Sequence, residues 1–169
     1  MAIMMPNLLQ YPIALFGAVR AGVIVVNTNP LYTPREMKHQ FNDSGAKAVL
    51  ICENFAHNLE KIKGDTGIEI VMVTSIGEML PFLKRTLVNF GVRTIKKMVP
   101  KFNLPGAIPF STCMSEGKKH RIEPHQAKPD DILALQYTGG TTGVSKGAML
   151  THRNMVANTI QAKTWLTQS

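Results

Sequence analysis

Apolar runs alternate with amphipathic stretches along the first part of the chain. Short runs of the kind that form buried strands cover residues 2–5, 23–26, 48–52 and 68–73. The stretches between them space their apolar residues as helices do. This alternation is typical of βα units and predicts an α/β fold with a largely parallel sheet.

The ends of two helices carry local signals. The first helix should start at about residue 7 or 12 and end at Ala21, with Gly22 as its C-terminal stop. The second should begin at Thr33, whose hydroxyl can cap the first turn while Glu36 reaches back to form a capping box. Pro34 suits that first turn.

The rest of the chain divides into three kinds of segment. A third helix is predicted over residues 53–62, and a strand over 132–137 that delivers a glycine-rich loop. Residues 100–129 are rich in Pro, Gly, Lys and His and lack periodicity, so we expect an irregular surface connection there.

The composition of the chain narrows the classes of molecule that it could bind. The chain has 169 residues, 44% hydrophobic and 18% charged, which suits one soluble globular unit or part of a larger one. Its net charge of +8 favours an acidic partner: a phosphate-rich ligand, an anionic membrane surface or nucleic acid. Neither Cys52 nor Cys113 has another Cys or a His at metal-ligand spacing. We therefore predict no metal site and a reduced, cytoplasmic setting. We identify neither a secretion signal nor a membrane-spanning segment.

The glycine-rich loop carries the strongest chemical signal. Glycines let consecutive N–H groups converge on an anion, hydroxyls add donors, and Lys146 adds positive charge. The alternative is an ordinary turn between two strands. The run predicts a phosphate-binding site made of Thr138, Gly139, Gly140, Thr141, Thr142, Gly143, Val144, Ser145, Lys146 and Gly147. It is not the P-loop of nucleotide hydrolases, since Ser145 precedes the lysine and Gly147 follows it.

This run resembles the signature loop of the adenylate-forming (AMP-binding) enzymes, the superfamily of acyl-CoA synthetases, luciferases and peptide-synthetase adenylation domains. The match covers residues 137–147. It continues upstream through "RAG" and "NPLYTPRE" and downstream through "GAMLTHRN", and is greatest to bacterial long-chain fatty acid-CoA ligases. One departure is Ser145, where many members have proline.

The resemblance implies a two-step reaction. A fatty carboxylate attacks the α-phosphate of ATP to give acyl-adenylate and pyrophosphate, and coenzyme A then displaces AMP, with Mg²⁺ assisting the first step. By position, residues 138–142 would hold the β- and γ-phosphates and Lys146 would offset their charge. Tyr137 is expected to pack beneath the loop, and no catalytic residue is assigned.

The resemblance also implies missing parts. Family members are considerably longer, and their later motifs bind adenine and ribose, supply an acidic magnesium ligand and bring in a catalytic lysine. We therefore expect the chain to be an internal piece of the large N-terminal domain, without ligase activity alone.

A basic segment spans residues 82–101, with six basic residues and no acidic one. Val88, Val92, Ile95 and Val99 recur at helical spacing, and Arg93 belongs to the opposite face. One hypothesis is a helix in peripheral contact with an anionic membrane, on its inner face. The other is a surface helix packed by its apolar face, with solvated lysines outside.

Isolated polar and aromatic residues have ordinary explanations. His120 and His125 are expected to be exposed, and Trp165 to lie on a buried helix face. A helix should begin at His152 and Arg153 after a cap at Thr151, and these two residues either contact ligand or are structural.

Two other functions compete with a ligase fragment. One is a noncatalytic nucleotide- or anion-binding module. The other is a nucleic-acid binder, which is disfavoured because aromatic residues make up 7% of the chain and do not interleave with the basic segment.

Overall fold

A single sheet organises the chain. The computed structural model describes residues 1–138 and 145–167. The strands are β1 Ala2–Met4, β2 Val25–Asn27, β3 Ala48–Cys52, β4 Ile70–Thr74, β5 Ile108–Pro109, β6 Ile132–Thr138 and β7 Lys146–Thr151. Their order across the sheet is β5-β4-β3-β1-β2-β6-β7, and every pair is parallel except β6 with β7. The predicted α/β fold with a largely parallel sheet is confirmed.

Helices cover both faces of the sheet. They are α1 Gln10–Arg20, α2 Pro34–Asp43, α3 Ala56–Ile62, α4 Phe82–Phe90, α5 Phe110–Gly117 and α6 His152–Thr167. Short 3-10 turns occupy Glu53–Phe55 and Lys63–Asp65, and a π-helical turn, Gly91–Ile95, continues α4. None of the described helices is long and apolar enough to cross a membrane.

Strand β3 shows how the core forms. Val49 and Ile51 pack with α2 and α3 on one face, whereas Leu50 packs with α1 and α5 on the other. All three are fully buried. A strand buried on both faces needs apolar residues at every position, which explains why β3 is a continuous apolar run.

The predicted helix signals are confirmed. The Thr33 hydroxyl accepts a hydrogen bond from the Glu36 amide at 3.4 Å, and Glu36 Oε2 accepts one from the Thr33 amide at 2.8 Å. After α1, Gly22 adopts φ +72°, a left-handed conformation that favours glycine. Helix α6 begins after Thr151, whose hydroxyl accepts from the Asn154 amide at 3.2 Å.

Residues 100–129 are only partly irregular, so that prediction is wrong for residues 108–117. There β5 pairs with β4, and α5 buries Phe110 on the sheet. A strand of two residues has no sequence period, which is why the pattern did not indicate it. The strand β7 was likewise not predicted, and β2 begins at Val25, two residues later than expected.

The basic segment forms a helix whose faces match the prediction only in part. Val88, Val92 and Val99 are half-buried, as expected, but Ile95 is exposed. Two residues expected to face solvent are docked beside the valines: Arg93 binds Glu53, and Asn89 binds the Gly77 amide and the Ser75 hydroxyl. Other large apolar side chains point outward, namely Phe82, Leu83, Leu87, Phe90 and Met98. The helix is also shorter than predicted, since it ends at Ile95 and Lys97 has φ +49°.

Trp165 does not lie on a buried helix face. It is 82% exposed, and no described residue of α6 is buried. The prediction failed because spacing alone does not say whether another element covers the helix.

Candidate functional site

The predicted phosphate-binding loop joins two paired strands. Tyr137 lies opposite Gly147, and Thr138 lies opposite Lys146, in the antiparallel ladder of β6 and β7. Thr138 and Lys146 are both exposed, at the end of this pair that the loop joins. Of the predicted site, Gly139, Gly140, Thr141, Thr142, Gly143 and Val144 fall outside the described residues.

The loop leaves the sheet at the carboxyl ends of its parallel strands. Strand β6 runs parallel to β2, which runs parallel to β1. In open α/β sheets, ligands bind outside this edge. A crevice of about 430 Å³ lies here, lined by residues that include Asn7, Thr28 and Asn29. The loop therefore starts where this fold class binds its ligands.

Polar side chains beside the crevice form a connected chain. The Tyr11 hydroxyl donates to Asn27 Oδ1 at 2.8 Å, and Asn27 Nδ2 donates to Gln136 Oε1 at 3.0 Å. Gln40, buried on α2, donates its amide to the Asn27 carbonyl at 3.0 Å. These bonds link α1, β2, α2 and β6, so the residues that precede the loop are fixed.

Tyr137 anchors the end of β6. Its side chain is buried, and its hydroxyl donates to Asp43 Oδ2 at 2.5 Å. Its ring covers Gly147, where an added Cβ would lie 2.9 Å from ring carbon Cε2. Burial, followed by the bond to Asp43, raises the pKa of Tyr137, so it remains a neutral donor. These contacts support the packing interpretation of Tyr137.

A histidine that the sequence analysis did not consider anchors the other strand. His39 Nε2 lies 3.0 Å from the Ser145 carbonyl and donates to it. His39 and Asp43 are four residues apart on α2, so both side chains lie on one helix face. That spacing was visible in the sequence, but nothing local indicated what the face would contact.

Lys146 forms none of the ion pairs found among the described residues. Lys146 lies opposite Thr138 in the ladder, and the Asp43 carboxylate accepts a hydrogen bond from Tyr137. An exposed lysine next to hydroxyl donors can bind an anion without first breaking a salt bridge. This is the chemistry that phosphate binding needs.

No group of three or more His, Cys, Asp or Glu residues in the described ranges could hold a metal ion. Asp43 is already bonded to Tyr137. The described residues therefore do not fit a magnesium site, and we derive no step through Mg²⁺.

The other candidate residues lie elsewhere. Strand β7 pairs Thr151 with Ile132, at the opposite end of β6 from the loop, so His152 and Arg153 begin α6 far from Lys146. Arg153 binds Asp130 at 3.0 Å, which supports a structural role.

Two further histidines, His120 and His125, are exposed, as predicted. His125 packs its ring against Gly22, where a Cβ would lie 2.7 Å from His125 Cγ.

Comparisons with known proteins agree with this architecture. The chain is 59% identical over 157 residues to a long-chain-fatty-acid–CoA ligase of Escherichia coli O157:H7, covering 93% of the chain and 28% of that protein. It is 54% identical over 167 residues to the ligase of the same description from Haemophilus influenzae, covering 99% of the chain and 30% of that protein.

A solved structure shares the fold. The crystal structure of a long-chain-fatty-acid-CoA ligase from Archaeoglobus fulgidus superposes with a TM-score of 0.69 at 26% identity, over 95% of this chain and 26% of that one. The chain thus spans less than a third of the length of these relatives. The family model described as AMP-binding enzyme matches residues 1–169. The chain therefore belongs to the AMP-binding enzymes, the adenylate-forming family that its glycine-rich loop resembles.

Proposed function

We propose that these 169 residues form part of a long-chain fatty acyl-CoA synthetase and supply its ATP phosphate-binding loop. One observation carries the proposal: Thr138 and Lys146 stand side by side at the carboxyl edge of the sheet, on either side of the sequence GGTTGVS. The identity of 59% to a long-chain ligase supports the substrate class.

The chemistry proceeds in two steps. A carboxylate oxygen of the fatty acid bonds to the α-phosphorus of ATP while the bond from that phosphorus to pyrophosphate breaks. The thiol sulfur of coenzyme A then bonds to the acyl carbon, the carbon–oxygen bond to AMP breaks, and the thiol proton is lost.

The loop contributes mainly to the first step. Negative charge moves toward pyrophosphate as the α-phosphorus is attacked, so donors on the β- and γ-phosphates stabilise the transition state more than the ground state. Thr138 to Thr142 would bind these phosphates, and Lys146 would offset their charge.

Exchange of labelled pyrophosphate into ATP tests the proposal. The full-length protein that contains this chain should catalyse exchange that depends on palmitate and is much weaker with acetate. Lys146→Ala should slow exchange by about 100- to 1,000-fold, in the range seen when one oxyanion donor is removed. The exposed Lys163 provides the control, and Lys163→Ala should exchange at the parental rate.

Two results would contradict the proposal. Equal rates for both lysine variants would exclude Lys146 from phosphate stabilisation. ATP binding without exchange would favour a noncatalytic nucleotide-binding module instead.

The isolated chain should be inactive. It spans 28–30% of the relatives' length, and the parts that complete the site in the family are not among its residues. ATP-dependent thioester formation by the purified 169-residue chain would overturn this expectation.

We also propose a cytoplasmic enzyme in peripheral contact with an anionic membrane through residues 82–101. Helix α4 supports this because its outer side exposes Phe82, Leu83 and Leu87 at 70%, 74% and 72%. Exposed lysines flank this apolar surface, and the segment contains no acidic residue. Apolar side chains among cations suit a surface of anionic lipid.

Sedimentation with vesicles of phosphatidylglycerol and phosphatidylcholine tests the contact. The full-length protein should pellet with them, whereas reversal of Lys84, Lys96 and Lys97 to glutamate should leave most of it in the supernatant. Reversal of Lys118 and Lys119, outside the segment, should have little effect. If the parent protein stays in the supernatant, another part of the protein covers this face and the membrane proposal fails.

A further inference from the structure

Helix α2 contacts both strands that carry the glycine-rich loop. Asp43, its last residue, accepts a hydrogen bond from Tyr137 of β6 at 2.5 Å. His39, one turn earlier, donates to the Ser145 carbonyl just before β7 at 3.0 Å. Two side chains on one face of a rigid helix therefore fix both ends of the loop.

The hydrogen bond from His39 to the Ser145 carbonyl orients Lys146, the lysine of the loop. The Ser145 carbonyl and the Lys146 amide belong to one planar peptide group. A donor on that carbonyl fixes the plane of the peptide and, through it, the direction in which Lys146 leaves the backbone. His39 therefore acts on Lys146 without touching a ligand.

The bond from Asp43 acts on the other strand. It holds the Tyr137 ring against Gly147. Tyr137 and Gly147 form the pair of the ladder next to Thr138 and Lys146. If the ring moved, Gly147 would lose its packing and the last pair of the ladder would lose its support.

The helix itself is well anchored. Its first turn carries the capping box of Thr33, and Met37, Gln40 and Phe41 are buried against the sheet. These contacts anchor α2 at its capped end and along its buried face.

We propose that His39 and Asp43 are positioning residues that hold the phosphate-binding loop in its ATP-binding geometry. This inference rests on the proposed function of the loop. Fixing the ends of a glycine-rich segment before the ligand arrives lowers the entropy that binding must otherwise overcome. ATP affinity and the adenylation rate should thus depend on α2.

We call the two contacts that His39 and Asp43 make with Ser145 and Tyr137 the clamp. Steady-state kinetics of the full-length protein test it. His39→Ala and Asp43→Ala should each raise the KM for ATP about fivefold, the effect of losing one net hydrogen bond, and should lower kcat for adenylation. The KM values for fatty acid and coenzyme A should change less than about twofold. His39→Gln, whose amide can donate to Ser145, and Asp43→Asn, which can accept from Tyr137, should restore most of the affinity.

Lys38→Ala is the matched control. Lys38 lies on the same helix, but it binds Asp65 at 2.7 Å, away from the loop. Its removal should leave the KM for ATP unchanged. If His39→Ala only lowered the melting temperature, as Lys38→Ala would, and left that KM unchanged, the clamp would be refuted.

Amide hydrogen exchange separates failure of the clamp from failure of the proposed function. In His39→Ala, exchange in the peptide 137–147 should be faster than in Lys38→Ala, whether or not ATP is a substrate. A parent protein without pyrophosphate exchange would overturn the proposed function, and amide hydrogen exchange of this peptide would then test the clamp by itself. Equal amide exchange rates in His39→Ala and Lys38→Ala would overturn the clamp.

Discussion

The ion pair of Glu53 and Arg93 joins the basic segment to the turn that follows β3. Arg93 Nε lies 3.0 Å from Glu53 Oε1, and Nη2 lies 2.8 Å from Oε2, which is a bidentate arrangement. The Glu53 side chain is 8% exposed and that of Arg93 is 52% exposed. The carboxylate is thus buried, and this guanidinium is the cation that pairs with it.

Arg93→Ala should destabilise the fold by about 1–3 kcal/mol. Removing one partner of a fully buried pair costs roughly 3–5 kcal/mol, because it leaves a buried charge without compensation. Arg93 is half exposed, so water already weakens the pair and will partly solvate the carboxylate when the arginine is gone. The lower range is therefore expected. Loss of a hydrogen bond to a charged group, about 1.5–3 kcal/mol, gives a similar figure.

Urea unfolding of the 169-residue chain measures this cost. Glu53→Gln and the double variant complete a mutant cycle, whose coupling energy should be at least about 1 kcal/mol. Lys96→Ala, an exposed change in the same segment, should stay within about 0.5 kcal/mol of the parent. A cost for Arg93→Ala no larger than that for Lys96→Ala, with no coupling, would refute the docking of the basic segment through Arg93.

Three further changes probe other contacts. Thr33→Ala removes the cap of α2 and should lower the unfolding free energy by about 0.5–2 kcal/mol, measured with urea. Gly147→Ala places a methyl group 2.9 Å from the Tyr137 ring and should cost about 1–3 kcal/mol in the same assay, whereas Gly17→Ala, with open space around it, should cost nothing. Burial raises the pKa of Cys52 to about 11, so the folded state holds this proton more tightly than the unfolded chain. Stability from this thiol is complete below its ordinary pKa and is lost as the pH rises through about 11, so Cys52→Ala should lose less stability than the parent between about pH 8 and pH 11.

The sequence predicted the parts of the fold that depend on local pattern. Strand β3 was found because a strand buried on both faces must be apolar throughout. The capping box at Thr33 was found because its partners are three residues apart. Strand β5 was missed because two residues carry no period, and its existence depends on pairing with β4.

The candidate site also has one part that the sequence predicted and one part that it did not. The glycines, hydroxyls and lysine of the loop are consecutive, so their chemistry could be inferred from the sequence. The residues that hold the loop could not, because His39 and Ser145 are 106 residues apart and Asp43 and Tyr137 are 94 apart. Only the crossing of α2 from β2 to β3, over the sheet, brings these pairs together.

Helix α4 shows where hydrophobic periodicity stops being informative. Periodicity detects that a helix has two faces, but it does not say which polar residues join the docked face. Val88 and Val92 are half-buried, as their spacing predicts. Polar residues dock beside them because they find specific partners in Glu53, Ser75 and Gly77. The consequence for experiment is direct. Charge reversal at Arg93 would place a carboxylate against Glu53 and undock the helix, so loss of vesicle binding in such a variant would report unfolding of the segment.

Reversal at the exposed lysines changes the outer surface and leaves the docking bonds intact. Lys84, Lys96 and Lys97 form no ion pair among the described residues, and all three lie exposed in the segment that carries the outward apolar side chains. If this surface meets anionic lipid, its affinity should fall steeply with salt, because each lysine contributes about 1 kcal/mol near a charged membrane. Binding that persists unchanged at high salt would have to come from the apolar side chains alone. The charge-reversed and parental proteins would then sediment alike, and the basic character of the segment would have no part in membrane contact.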